Sequence, residues 1–283
     1  MLPYLTQAKA PLTCEVPAIN EFGDLISVSI PAERALTVYV DKRELVTLMT
    51  LGAHPELLVL GYLRNQRLVK SIQEIESITV DWDVGAAAVK TRHGITDIEE
   101  KTSRRVVTTG CGQGSVFGGL MDEVDQIKLP PDAIITQSQL YALVNTIRLK
   151  ETTYKSAGSV HACALFGVTD GAPEMIIFVE DVGRHNAIDT IAGWMSMQAN
   201  QSLNRVFYTT GRLTSEMVIK SAQMGVPVVV SRSGITQMGH QVAQSVGLCA
   251  IGRATNKRFV CYTSNQRLVL QPGSAGQPHT LAD

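Results

Sequence analysis

The pattern of hydrophobic and polar positions before residue 130 predicts short strands and one helix. Alternating apolar and polar residues predict a β-hairpin over residues 26–45, with a turn that starts at Pro31. A helix is predicted over residues 54–71, with Pro55 in the first turn, where its missing N–H costs nothing. Three further strands are predicted, at residues 76–84, 85–92 and 104–110. These elements indicate a small α+β unit.

Beyond residue 130, the pattern alternates between short apolar strands and amphipathic helices. Strands are predicted at residues 159–168, 174–180, 205–210, 226–231, 247–252 and 258–263. Helices are predicted at residues 137–149, 185–197, 214–224 and 235–246. This alternation predicts an α/β fold with a parallel or mostly parallel sheet that is covered on both faces.

The change of pattern predicts the domain organisation. Residues 1–20 are rich in proline and lack periodicity, and they predict a disordered leader. We expect an N-terminal α+β domain over residues 21–130, a C-terminal α/β domain over residues 131–270, and a flexible tail over residues 271–283. The Leu-Pro-Pro-Asp stretch at residues 129–132 is the predicted linker.

Composition and charge exclude several classes of function. The chain is 45% hydrophobic and 18% charged, and its formal net charge of -1 gives no general attraction to nucleic acid or to an acidic membrane. No apolar run reaches the roughly 18–20 residues needed to span a bilayer. The first residues do not resemble a secretory signal, so we expect a cytoplasmic protein.

Cysteine usage singles out one residue. The five cysteines are widely spaced and include no Cys-x-x-Cys pair, which argues against a disulfide framework or a four-thiolate zinc site. Cys163, Cys249 and Cys261 lie in strand-like runs and are predicted to be small buried hydrophobic residues. Cys14 lies in the proline-rich leader. Cys111 differs from these, because it lies among glycines at positions 110, 112, 114, 118 and 119.

A thiol on a glycine-rich loop is suited to reaching other molecules. Such a loop costs much entropy to fix, so Cys111 is predicted to be exposed and able to travel. Successive backbone N–H groups would lower its pKa and favour the nucleophilic thiolate. A glycine turn in which the cysteine is incidental is the alternative interpretation.

Polar residues gather where four of the predicted strands end. Glu180, Asp181, Arg184, His185 and Asn186 follow one strand, at the kind of junction where open α/β sheets bind ligands. Hydroxyl groups, a glycine and an arginine occur in the strand-to-helix turns at residues 209–217 and 231–237, which suits phosphate binding. A basic stretch lies at residues 252–260. Helix capping, ion pairs and a solvated basic turn are the structural alternatives.

Together these motifs resemble the FdhD family of sulfur carrier proteins, which serve formate dehydrogenase. The resemblance covers residues 24–270 in the order of the family. It is carried by PAERALTVYVDKREL, TTGCG, VHACA, EDVGRHNAID, RLTSEMVIKSAQMGVPVVVSRSG and YTSNQRL.

The resemblance implies a function, partners and site residues. Cys111 would accept sulfur from a cysteine desulfurase as a persulfide, so that the protein acts as a sulfurtransferase-like carrier. The sulfur would pass to the molybdenum cofactor, in its bis-molybdopterin guanine dinucleotide form, that formate dehydrogenase requires. The family further implies a cytoplasmic homodimer and a C-terminal domain with a cytidine-deaminase-like mixed sheet flanked by helices. The implied cofactor-binding residues, which would contact the guanine nucleotide, are Arg253, Ala254, Thr255, Asn256, Lys257 and Arg258.

The chain departs from the family in its cysteine loop. Many members carry Cys-x-x-Cys, where this chain reads Cys111-Gly-Gln-Gly114, so a relay between two loop thiols is excluded. Two alternatives stay open. One is a non-catalytic chaperone that binds the molybdenum cofactor. The other is a zinc deaminase-like hydrolase, although VHACA has alanine in place of the catalytic glutamate and no metal site is expected.

Overall fold

The computed structural model of the protein describes residues 2–95, 126–150, 152–198 and 204–271. The chain forms two compact units. Unit 1 comprises Met1–Asp122, Glu151–Cys163 and Phe178–Gln201, and unit 2 comprises Glu123–Lys150, Ala164–Ile177 and Ser202–Asp283. Each unit therefore combines segments from both sides of residue 130, whereas the sequence predicted one sequential boundary there.

The secondary-structure elements follow the predicted order closely. Those up to residue 95 are β1 (Tyr4–Leu5), β2 (Thr13–Ile19), β3 (Leu25–Pro31), β4 (Arg34–Val40), β5 (Arg43–Thr50), α1 (Pro55–Asn65), β6 (Ile75–Asp81) and β7 (Ala86–Thr91). Those from residue 126 onward are β8 (Ile135–Thr136), α2 (Gln137–Leu149), α3 (Thr153–Ala157), β9 (His161–Val168), β10 (Glu174–Asp181), α4 (Arg184–Met197), β11 (Asn204–Thr209), α5 (Ser215–Gln223), β12 (Val228–Ser231), α6 (Gln237–Ser245), β13 (Cys249–Thr255), β14 (Arg258–Cys261) and β15 (Leu268–Val269). The predicted strand at residues 104–110 lies outside the described residues.

The pairing of the first strands differs from the prediction. Strands β3 and β4 were expected to pair across Pro31, but β3 pairs with β2 and β4 pairs with β5, both antiparallel. The predicted hairpin over residues 26–45 is therefore wrong, although both of its strands exist. Alternation shows which residues share a face of a strand, but it does not identify the neighbouring strand. Strands β1 and β2 also lie within residues 1–20, where the sequence predicted a disordered leader.

Two larger sheets carry most of the remaining strands. The first has the order β1-β6-β7-β4-β5, and it packs with α1 around a core that includes Leu36, Val38 and Leu58. The second has the order β10-β9-β11-β12-β13-β14. In it, β11, β12 and β13 are parallel, whereas β14 is antiparallel to β13. The predicted mixed α/β class is therefore confirmed.

Helices α1 and α4 touch backbone to backbone within unit 1. A β-carbon at Gly61 would overlap the carbonyl oxygen of Asp189, and one at Gly193 would overlap that of Leu57. The Asn65 Nδ2 atom donates a hydrogen bond of 2.6 Å to Asp189 Oδ1, and Asp189 is fully buried. Glycine at both crossing positions is what allows this close approach.

No helix among the described residues is both long enough and apolar enough to cross a bilayer.

Candidate functional site

The carboxyl ends of three parallel strands form a continuous edge in unit 2. Thr209 at the end of β11 is in register with Ser231 at the end of β12, and Val230 is in register with Ile251 of β13. The segments that follow these strands therefore start side by side. This is the part of an α/β sheet where ligands bind most often.

Main-chain hydrogen bonds join the three segments at this edge. The Arg232 N–H donates to the Thr209 carbonyl oxygen at 2.9 Å, and the Leu213 N–H donates to the Gly234 carbonyl oxygen at 2.9 Å. The Arg253 N–H donates to the Ser233 carbonyl oxygen at 2.6 Å. The backbone positions of Arg212, Arg232 and Arg253 are consequently fixed within one hydrogen-bonded frame. We call these three arginines the arginine edge.

The arginine edge is exposed and positively charged. Arg212, Arg232 and Arg253 are all exposed, and none of them has an ion pair in the part of the chain that the structure describes. Exposed guanidinium groups without a carboxylate partner remain available to bind phosphate, which they match in geometry. The edge is therefore suited to an anionic ligand with more than one phosphate group.

A bulge and a turn present the basic stretch that follows. The register in which β13 pairs with β14 shifts between Gly252 and Thr255. Arg253 lies between these two residues and has a φ of +52°. The turn that follows begins at Asn256, which also has a φ of +52°. Bulges of this kind redirect side chains near the end of a strand.

The six implied cofactor-binding residues do not share one environment. Arg253, Thr255, Asn256, Lys257 and Arg258 are exposed, whereas the side chain of Ala254 is buried. Ala254 as a whole residue is only 1% exposed, so it offers a surface ligand almost no contact area. The assignment of these six residues to cofactor binding stays a prediction.

The hydroxyl groups that the sequence suggested for phosphate binding are used within the protein. Thr209 Oγ1 accepts a hydrogen bond from the Gly211 N–H at 3.1 Å, and Ser231 Oγ donates to the Gly211 carbonyl oxygen at 2.7 Å. Thr236 Oγ1 accepts from the Gly239 N–H and so caps α6. These hydroxyls hold the turns in shape, which leaves the exposed cations as the groups of these turns that a phosphate could contact.

Thr214 behaves differently from Thr236. It precedes α5, but its side chain makes no capping hydrogen bond, and its buried Oγ1 has no partner among the described residues. Within α5 itself, the buried Lys220 Nζ lies 3.3 Å from Glu216 Oε1. The charges of α5 are therefore paired with each other, which leaves the arginine edge as the charged feature of these turns.

The carboxylates of the EDVGRHNAID motif have structural roles in unit 1. Glu180 accepts hydrogen bonds from the Thr153 N–H at 2.7 Å and the Tyr154 N–H at 3.2 Å, at the start of α3.

Asp181 is buried and accepts four hydrogen bonds. The donors are Thr50 Oγ1 at 2.5 Å, the Leu51 N–H at 3.2 Å, the Gly183 N–H at 3.2 Å and Asn186 Nδ2 at 2.8 Å. Burial raises the pKa of the Asp181 carboxyl, and these donors oppose that rise. Glu180 therefore binds the first N–H groups of α3, and Asp181 joins the end of β5 to the start of α4.

The four cysteines that the structure describes lie in three environments. Cys111 and its glycine loop lie outside the described residues. Cys163 and Cys249 are fully buried, as predicted, whereas Cys14 is exposed on β2. Cys261 is only half-buried, so its predicted burial is wrong in part, and its Sγ lies 3.8 Å from that of Cys249. A hydrogen bond from Cys249 lowers the pKa of Cys261, and the same bond together with burial raises the pKa of Cys249.

Comparison with known proteins identifies the family. The model of the FdhD/NarQ family matches residues 31–269. The chain belongs to the FdhD/NarQ family. This match spans the Cys111 loop, the EDVGRHNAID motif and the arginine edge.

Individual FdhD/NarQ relatives align over most of their length. The chain is 30% identical over 256 residues to the sulfur carrier protein FdhD of Bacillus subtilis. This alignment covers 88% of this chain and 94% of that protein. The chain is 29% identical over 237 residues to the sulfur carrier protein FdhD of Bacillus pumilus, covering 83% and 88%. A crystal structure from Desulfotalea psychrophila, described as that of a formate dehydrogenase accessory protein, has the same fold. Its TM-score is 0.71 at 22% identity, and the match covers 92% of this chain and 100% of that one.

Sequence reasoning underestimated Arg212 and Arg232. Each was noted only as one of several polar residues in a strand-to-helix turn. The signal that relates them to Arg253 is the strand order, because β11, β12 and β13 are adjacent and parallel.

Proposed function

We propose that the protein is a sulfur carrier for formate dehydrogenase. In this proposal Cys111 accepts a sulfur atom from a cysteine desulfurase and holds it as a persulfide. The carrier then passes that sulfur to the molybdenum cofactor. The single observation that carries the proposal is membership of the FdhD/NarQ family across residues 31–269, a range that includes Cys111.

The loading step is a persulfide exchange. The Cys111 thiolate attacks the terminal sulfur of a persulfide on the desulfurase. A new sulfur–sulfur bond forms at Cys111 while the old one breaks, and the desulfurase cysteine leaves as a thiolate. The chain lacks a second cysteine in this loop, so the loaded persulfide cannot be resolved by a disulfide within the loop.

The substrate of the second step is bis-molybdopterin guanine dinucleotide bound to molybdenum. Its phosphate groups suit Arg253, Lys257 and Arg258, and the arginine edge extends this positive surface to Arg212 and Arg232. The proposal includes a homodimer and a cytidine-deaminase-like arrangement of the second sheet. The mixed sheet with parallel β11, β12 and β13 is compatible with that arrangement.

Mass spectrometry tests the sulfur-carrier proposal directly. After incubation with a cysteine desulfurase and free cysteine, we expect the protein to gain about 32 Da, one sulfur atom, on the peptide that contains Cys111. The Cys111→Ala variant should gain no sulfur, whereas the Cys14→Ala variant should load like the wild type, since Cys14 is the exposed thiol on β2. Loading of Cys111→Ala to the wild-type level would overturn the proposal.

A separate binding measurement tests the arginine edge. Arg232→Ala and Arg253→Ala should each weaken the binding of guanosine diphosphate by about tenfold to a hundredfold, since each removes a charge-assisted hydrogen bond. The salt dependence of binding should fall in both variants. Arg148→Ala is the matched control, because Arg148 is an exposed arginine on α2 of the same unit. Unchanged affinity in both edge variants would exclude these residues from phosphate binding.

The arginine edge also suits a non-catalytic chaperone, which would bind the cofactor without needing Cys111. The two experiments distinguish these functions. Nucleotide binding without sulfur loading indicates a chaperone, whereas both results together indicate the carrier. The zinc deaminase-like hydrolase remains an alternative that metal analysis of the purified protein tests, with stoichiometric zinc as the supporting result.

A further inference from the structure

Two free thiols, those of Cys249 and Cys261, lie side by side in the second sheet. The register places Ile251 of β13 opposite Cys261 of β14, and Cys249 precedes Ile251 by two positions. Cys249 and Cys261 are therefore diagonal neighbours on one face of this antiparallel pair. Their Sγ atoms are 3.8 Å apart, although twelve positions of sequence separate the two residues.

Hydrogen bonds of Thr263 keep the two thiols in this position. The Oγ1 atom of Thr263 accepts from the Ala250 N–H at 3.1 Å and donates to the Leu248 carbonyl oxygen at 2.6 Å. These two bonds lie on either side of Cys249 along β13. The Sγ atom of Cys261 in turn lies 3.6 Å from the Thr263 carbonyl oxygen. The backbone around both cysteines is therefore fixed with the thiols next to each other.

The two thiols differ in access and in acidity. Cys249 is fully buried, whereas Cys261 is half-buried, so Cys261 is the thiol that a small solute can reach. The hydrogen bond from Cys249 lowers the pKa of Cys261, which favours the reactive thiolate. The same bond together with burial raises the pKa of Cys249, which stays protonated. The pair thus combines an accessible nucleophile with a protected thiol behind it.

The position of the pair in the sheet allows the two sulfur atoms to approach further. A disulfide requires a separation of about 2.0 Å, compared with 3.8 Å between the two thiols. Strand β14, which carries Cys261, lies at the edge of the second sheet and pairs only with β13 in the described part of the chain. A small shift of β14 therefore breaks no pairing with a further strand.

We propose that Cys249 and Cys261 form a reversible disulfide when the protein meets hydrogen peroxide. The Cys261 thiolate attacks one peroxide oxygen, so that a sulfur–oxygen bond forms, the oxygen–oxygen bond breaks and hydroxide leaves. The Cys249 sulfur then attacks the sulfenic acid on Cys261. A sulfur–sulfur bond forms, the sulfur–oxygen bond breaks, and the oxygen leaves as water with the proton of Cys249. The two thiols lose two electrons in total, and the peroxide is reduced to water.

The disulfide would join the two strands that present the basic stretch. Arg253 and Arg258 both lie between the two cysteines in sequence, on β13 and β14 respectively. Transient disulfides of this kind act as redox sensors in compartments that otherwise keep thiols reduced. The proposal does not depend on the sulfur-carrier function, because Cys111 takes no part in it.

Peptide mapping of the folded protein tests this proposal. Trypsin cuts after Arg253, Lys257 and Arg258, so the two cysteines fall on separate peptides unless a disulfide joins them. After hydrogen peroxide treatment of the reduced protein and blocking of the remaining thiols, we expect the joined peptides. Their mass should be about 2 Da below the sum of the two reduced peptides, and dithiothreitol should separate them. Absence of the joined peptides from the oxidised, folded protein overturns the proposal.

Three alanine variants test the order of the two steps. In Cys249→Ala, oxidation should stop at a sulfenic acid on Cys261, which dimedone traps. In Cys261→Ala, the buried Cys249 should oxidise at least about tenfold more slowly than Cys261 does in the wild type. Oxidation of Cys249 in that variant at the wild-type rate of Cys261 overturns the proposed order.

The matched control is Cys163→Ala, which removes another fully buried thiol and should form the joined peptides like the wild type. The Cys111→Ala variant should also form them. Failure of sulfur loading is therefore distinguishable from failure of this proposal.

Discussion

Replacing Asp181 with alanine is expected to lower the free energy of unfolding by about 3–5 kcal/mol, since it leaves several buried hydrogen-bond donors without an acceptor. Asp181 joins Thr50 and Leu51, at the end of β5, to Gly183 and Asn186, at the start of α4. Urea unfolding followed by circular dichroism measures the loss. The conservative Asp181→Asn variant should lose about 1–3 kcal/mol, because its amide retains one acceptor oxygen.

An exposed aspartate provides the control for this prediction. Asp83→Ala removes a carboxylate from the surface of unit 1 and should change stability by less than about 0.5 kcal/mol. A loss for Asp181→Ala no larger than that of Asp83→Ala would contradict a structural role for Asp181. Such a small loss would favour the interpretation of Asp181 as a ligand-binding group.

The pH dependence of the same variants has a defined sign. Burial raises the pKa of Asp181 above its usual 3.8, so the folded protein retains this proton at pH values where the unfolded chain has released it. The stabilisation that this proton gives is complete at pH values below the pKa of Asp181 in the unfolded chain. It is lost as the pH rises through the pKa of Asp181 in the folded protein. The stability advantage of the wild type over Asp181→Asn should therefore shrink as pH rises from about 4. An advantage that grows with pH would contradict the raised pKa.

Replacing Gly61 with alanine is expected to destabilise unit 1 by about 3 kcal/mol, at the upper end of the cost of overpacking. The new methyl group would overlap the main-chain carbonyl of Asp189, and a backbone cannot rotate away as a side chain can. The two helices would have to separate, which would also strain the buried hydrogen bond from Asn65 to Asp189. Alanine gains only about 1 kcal/mol in helix propensity over glycine, which is too little to compensate. Thermal unfolding measures the change.

Two further variants test the explanation of this loss. Gly171→Ala should be nearly neutral, because a β-carbon there meets a neighbouring atom only at 4.0 Å. The double variant Gly61→Ala/Gly193→Ala should lose less than the sum of the two single variants, since one separation of α1 from α4 relieves both overlaps. Strict additivity of the two losses would indicate that the overlaps are relieved independently.

The sequence predicted individual elements better than it predicted their partners. The alternation from residue 204 onward placed β11, α5, β12, α6, β13 and β14 in order, because short apolar strands and amphipathic helices differ in period. It did not predict that β3 pairs with β2, since pairing depends on contacts distant in sequence. Nor did it predict the contact between α1 and α4, which brings Gly61 to Gly193 across 132 positions of the chain.

The candidate site shows the same limit. Residue types identified a basic stretch near Arg253, but they did not show that Arg212 and Arg232 belong to the same edge. In the EDVGRHNAID motif, the density of polar groups suggested a binding site. The structure instead gives Glu180 and Asp181 hydrogen-bonding roles that hold elements of unit 1 together. Composition alone cannot distinguish these roles, because capping groups and ligand-binding groups use the same side chains.

The main-chain bonds that join the segments of Arg212, Arg232 and Arg253 constrain how this surface can evolve. Lengthening any one of these turns by a single residue would displace the guanidinium groups of the other two. Exchange of one side chain for another leaves the shared frame intact. Divergence of this surface among related proteins is therefore expected to proceed through substitutions at these positions, with the lengths of the turns preserved.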